Sequence, residues 1–135
     1  MELTRSHIAP KVSRIEALAD ALHFYNGANR PIDPAYFARN PLRLQVFTGN
    51  GQATGKLRHF SSHHSGFQAA LFDLRIKCSG KSRAKLDNGN FTLTGLVESY
   101  NLNAITAKPV ARFLRQALGD DSITENTPLD YFLKD

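Results

Sequence analysis

Ile15, Leu18, Ala19, Leu22 and Asn26 recur at the spacing of one helix face, so at about 100° per residue the Asn26 side chain leaves from the same side as the apolar stripe. An amide on that side must find hydrogen-bond partners. It also closes off a chemistry. An amide donates and accepts hydrogen bonds but releases no proton near neutral pH, so a helix ending Tyr25-Asn26-Gly27 lacks a general acid where a carboxylate would supply one. Ser13 is the expected cap of this helix and Gly27 its stop.

The other elements follow from the same kind of signal. Residues 1–12, interrupted by Pro10, read as a flexible arm preceding a single domain over 13–135. The stretch from Ala28 to Asn40 carries Pro31 and Pro34 without any period and reads as an ordered surface loop. Leu44–Phe47 and Lys56–Phe60 flank a glycine-rich turn and predict one small β-hairpin. A second helix is expected behind Ser61 or Ser62, with the stripe Phe67, Ala70, Leu71, Leu74 and Cys78 and a stop at Gly80. A third runs through Leu93, Leu96, Val97 and Tyr100 behind Thr92. A fourth follows Thr106 through Ala107, Val110, Ala111, Leu114 and Leu118, with Gly119 closing it, and Thr127-Pro128 opens a last turn through Leu133. The fold class is therefore mainly α with α+β character: several short helices and one hairpin.

Charge and cysteine content narrow the chemistry further. A net charge of +5 and a pI near 9.6 favour polyanionic partners such as cell-wall polymers, nucleic acid or an acidic protein. No apolar run approaches the roughly 18 residues of a membrane span, and the N-terminus has no secretory layout. The single Cys78 lies on the second helix's apolar stripe and reads as a core thiol. Arg75, Lys77, Lys81, Arg83 and Lys85 make a basic run that is either a solvated loop or an anion-binding patch. His59, His63 and His64 read as surface or capping residues, because no cysteine or carboxylate stands at metal-ligand spacing. No cofactor or metal is expected.

The order of these pieces, together with several local motifs, resembles phage and prophage lysozyme-like transglycosylases, often described as virion structural proteins. Ile15–Leu22 followed by Asn26-Gly27 is similar to their opening helix, which ends in Glu-Gly. Ala38-Arg39-Asn40-Pro41-Leu42-Arg43 resembles their Arg-Asn-Asn-Asn-Pro-Gly-Asn-Leu-Arg segment. Phe60, Gly66–Leu71, Thr92–Tyr100, Asn103 and the ending Leu118-Gly119 with Thr127-Pro128-Leu129 continue the likeness, which spans roughly residues 13 to 133.

The resemblance implies a lysozyme-like fold whose family glutamate protonates the glycosidic oxygen of peptidoglycan. Here Asn26 occupies that position. Either another acid substitutes, with Asp33 and Glu98 as the candidates, or the domain keeps its shape and glycan binding without turnover. Tyr36, Asn40, Arg43, Tyr100 and Asn103 correspond to positions that would line a glycan cleft, although Tyr36 and Tyr100 read equally well as core and Arg43 as a brace on loop carbonyls. The implied function is a peptidoglycan-binding, virion-associated or lysis-related module with a degenerate centre, made in a bacterial cytoplasm and in some cases carried in a particle with other virion proteins. The alternative is a non-enzymatic interaction protein that uses its basic surface to bind a protein or nucleic acid.

Overall fold

The computed structural model describes residues 12–27, 30–47, 53–80, 91–100, 102 and 106–134. In chain order these form α1 (Arg14–Tyr25), α2 (Pro34–Phe37), β1 (Gln45–Phe47), β2 (Ala53–Leu57), α3 (His63–Ser79), α4 (Leu93–Ser99), α5 (Ala107–Leu118) and a terminal 3-10 segment (Leu129–Leu133). The protein is mainly helical, with one two-stranded antiparallel sheet.

Helix α1 is central. Its start is fixed by a capping box, in which Ser13 Oγ accepts from Glu16 N at 3.2 Å while Glu16 Oε1 accepts from Ser13 N at 3.3 Å. Ile15, Leu18, Ala19 and Leu22 are buried as the stripe requires, and Ala17 and Ala21 are buried as well. That extra burial arises because α5, α3 and the terminal segment all pack against α1. Small alanines on the remaining faces let those neighbours approach. Leu71, Leu74 and Cys78 of α3, Leu93, Leu96 and Val97 of α4, Val110 and Leu114 of α5, and Leu129 and Phe132 complete the core.

The stretch expected to be plain loop contains a helical turn, α2. Asp33 caps it by accepting from Ala35 N at 2.9 Å, and Pro34 stands at its first position, where a missing N–H costs nothing. The second strand is also shifted toward the N-terminus, to Ala53–Leu57 rather than Lys56–Phe60. Two causes are visible. Residues 45–47 oppose 53–57, an irregularity that includes left-handed Gly55 at φ 80°. Beyond Leu57 the chain is drawn off the hairpin, since Phe60 N donates to Ala38 O at 2.9 Å.

The second half closes on itself through backbone bonds. Thr92 pairs with Pro128 as an isolated bridge, Leu93 N donates to Thr127 O at 3.0 Å, and Thr94 donates to Glu125 O through both its backbone and its hydroxyl. Thr92 caps α4, but Thr106, expected to cap α5, is itself helical and makes no side-chain cap bond. No helix among the described residues is long and apolar enough to cross a membrane.

Candidate functional site

Helix α1 ends where three segments meet. Asn26 is its C-cap, half-buried, with its own N–H donating to Leu22 O at 2.9 Å. Its side-chain Nδ2 donates to Pro41 O at 2.7 Å. Its backbone oxygen accepts from Arg43 Nε at 3.2 Å and Nη2 at 2.6 Å. The same Nη2 lies 2.6 Å from Asp33 Oδ2. One amide and one guanidinium therefore tie the end of α1 to the cap of α2 and to the root of the hairpin. Left-handed Gly27 follows at φ 81°, and a Cβ there would stand 3.6 Å from Arg43 Nη2 and 3.8 Å from Asp33 Oδ2.

The arrangement decides what the nearby acids can do. Hydrogen bonding to Arg43, with the backbone bond from Ala35 and the charges of Arg43 and Arg30, outweighs desolvation and holds the Asp33 carboxyl below its ordinary value. Such a group stays ionised near neutrality and has no proton to give. Glu98 is exposed on α4. Asp20, whose carboxyl is pushed up by burial against the opposing charge of His23, lies one turn before His23 on α1.

The remaining residues singled out from the sequence go to different places. Asn40 is buried and fully employed: Nδ2 donates to Leu44 O at 2.8 Å and Arg58 O at 3.0 Å, and Oδ1 accepts from Leu44 N at 2.8 Å. It braces the hairpin root. Tyr100 is in the core, with its hydroxyl donating to Asp73 Oδ2, and burial followed by the Asp73 charge raises its pKa well above the ordinary value. Of the basic run, Lys77 Nζ pairs with Asp73 at 2.7 Å and lies 3.9 Å from the Tyr100 ring centroid. Arg75 is exposed and borders an apolar groove of about 500 Å³ with Phe72, Ile76 and Phe132. Asn103, Lys81, Arg83 and Lys85 lie outside the described residues. The Cys78 thiol is buried, and desolvation pushes its pKa up to about 12, which removes it from nucleophilic chemistry.

A second groove, of about 430 Å³, adjoins the end of α1. His23 from α1, Tyr36 from α2, Arg39 and Pro41 from the following segment, and His63, His64 and Phe67 from α3 line it. Asn26 does not line the groove, but Pro41, whose carbonyl it holds, does. From the sequence His63 and His64 read as surface or capping residues, Arg39 appears only within the segment that resembles the transglycosylase motif, and His23 carries no signal of its own. His23 stands three residues before Asn26 and so shares its side of α1, which was the one signal available. Among the described residues no group of three or more His, Cys, Asp or Glu side chains is placed to hold a metal ion. No protein-family model, curated protein or solved structure matches this chain.

Proposed function

We propose that this chain is a lysozyme-like module of the phage type, virion-associated or lysis-related, that binds peptidoglycan glycan and lacks the acid needed to cut it. The observation that carries the reading is the junction at the end of α1. A helix, a turn and a hairpin root converge on position 26, and the residue there is an amide engaged with Pro41. Scission of a glycosidic bond needs a carboxylic acid to protonate the leaving oxygen. Among the described residues the carboxylate at this junction is Asp33, held ionised by Arg43. An amide in this place fits a module that holds glycan without cutting it.

The order helix, loop, hairpin, then several helices supports the same reading.

The experiment compares the purified protein with Asn26→Glu for muropeptide release from sacculi and for retention on intact sacculi. Retention by both proteins, with release by the variant alone, is the expected result. Release by the parent would mean that another acid works. Retention by neither overturns the glycan reading and favours an interaction module acting through the basic surface, tested by salt-sensitive binding to nucleic acid or an acidic protein.

A further inference from the structure

The groove beside α1 gathers four basic or protonatable side chains. His23, Arg39, His63 and His64 come from three separate segments, and no acidic side chain lines the groove among the described residues. Asp20 feels the charge of His23 but lies outside. The Arg39 guanidinium makes no hydrogen bond or ion pair among the described residues. A concave surface that offers a guanidinium and several ring nitrogens, with no carboxylate in its described lining, suits an anion.

The walls between these side chains are aromatic. Tyr36 packs on His63 with ring centroids 5.7 Å apart, and Phe67 lines the groove one turn further along α3. Flat apolar walls with a few convergent donors describe a site for a ring that carries a charge.

The groove is also held in shape. Arg39 is left-handed, a conformation that costs a non-glycine residue roughly 1–2 kcal/mol. It is fixed on both sides. Asn40 N donates to Ala35 O at 2.9 Å, and the Arg39 carbonyl is tucked so close to Gly66 that a Cβ there would lie 1.8 Å from its oxygen. Strain that surrounding structure locks in place is a mark of sites that present a side chain, and a backbone already ordered loses less entropy on binding.

We propose that this groove is a binding site for an oxyanion carried on a ring, with Arg39, His63 and His64 holding the anion and Tyr36 and Phe67 flanking the ring. Asn26 itself is not part of the site, whereas Tyr36 and Asn40, which the resemblance places in a glycan cleft, both line the groove. It takes phosphorylated or carboxylated ring compounds as a class.

The test is a titration of the full chain with phenyl phosphate, followed by ¹H–¹⁵N NMR, beside parallel titrations with inorganic phosphate and with benzyl alcohol. Saturable shifts confined to Arg39, His63, His64 and their neighbours are expected, with phenyl phosphate binding at least tenfold tighter than either partial probe. Arg39→Asn tolerates the left-handed backbone and so keeps the fold, and it should weaken phenyl phosphate at least tenfold. His64→Gln should weaken it several-fold, and both variants should leave the spectrum elsewhere unchanged. Shifts scattered over the whole basic surface, or binding indifferent to Arg39→Asn in a folded variant, would overturn the site. Equal affinity for inorganic and phenyl phosphate would overturn the role of the ring.

Discussion

The Asn26 side chain donates to the Pro41 carbonyl at 2.7 Å, so the residue that ends α1 also holds the turn leading into the hairpin. Removing the donor leaves a part-buried carbonyl without that bond, a loss of about 1–3 kcal/mol. Asn26→Ala should therefore lower the unfolding free energy by that amount in urea with m unchanged.

Asn26→Glu carries a second expectation. Only the neutral carboxyl can donate to Pro41 O, while the charges of Arg43 and Asp33 largely offset each other, so the introduced group should titrate above the usual glutamate value of about 4.3. The variant's stability should then fall as pH rises from that value toward the elevated one. Carboxyl ¹³C shifts against pH read the titration directly, and an apparent pKa below the usual value refutes the argument.

Asp33 behaves in the opposite sense. Its pKa is lowered by Arg43, so the fold favours the ionised form, and its contribution is present above the unfolded value of about 3.9 and lost as pH falls through the folded one. Comparing the protein with Asp33→Asn should give a stability difference that is constant near pH 7 and shrinks below about pH 4. Arg43→Ala, which removes three hydrogen bonds from this junction, should cost about 1.5–3 kcal/mol.

What could be read from the sequence was local. Ser13, Ser62 and Thr92 cap helices, and Gly80 and Gly119 end them in the left-handed region, because each such signal needs only its own few neighbours. Helix α2 escaped because four residues make one turn and show no period, although Asp33-Pro34 is a cap followed by a first-turn proline. The shift of β2 depends on Gly55 and on the bond between Phe60 and Ala38, and neither has a linear signature. At the candidate site, the polarity of Asn26 was legible but its partners Pro41 and Arg43, 15 and 17 residues on, were not. Tyr100 reads from the sequence as core or cleft alike, and its bond to Asp73 of α3, which places it in the core, forms only after α3 and α4 have packed, whereas the Lys77–Asp73 pair lies within α3 at i,i+4.

Tyr100→Phe removes the hydroxyl that donates to Asp73 while leaving the Lys77–Asp73 pair in place. A hydrogen bond to a charged acceptor contributes about 1.5–3 kcal/mol, and a loss in that range is expected by chemical denaturation. The sign with pH is also fixed. Burial raises the Tyr100 pKa, so the fold favours the neutral phenol, and stability should hold below the unfolded value of about 10 and fall above it. That alkaline loss should be smaller in Tyr100→Phe.

Gly66 offers the sharpest mutational test of the packing around the groove. At an ordinary helical position, replacing glycine by alanine stabilises by about 1 kcal/mol. At Gly66 the new Cβ would meet the Arg39 carbonyl oxygen at 1.8 Å and its carbon at 3.0 Å. Both obstacles are backbone and cannot rotate away, so α3 or the segment from Arg39 to Pro41 must move. Gly66→Ala should therefore destabilise the protein by about 3 kcal/mol or more, and the largest amide shifts should fall at Arg39, Asn40 and Pro41's neighbours. A stabilised or unchanged variant would mean that Arg39 does not pass so close to α3, and the locked geometry argued for the groove would be lost with it.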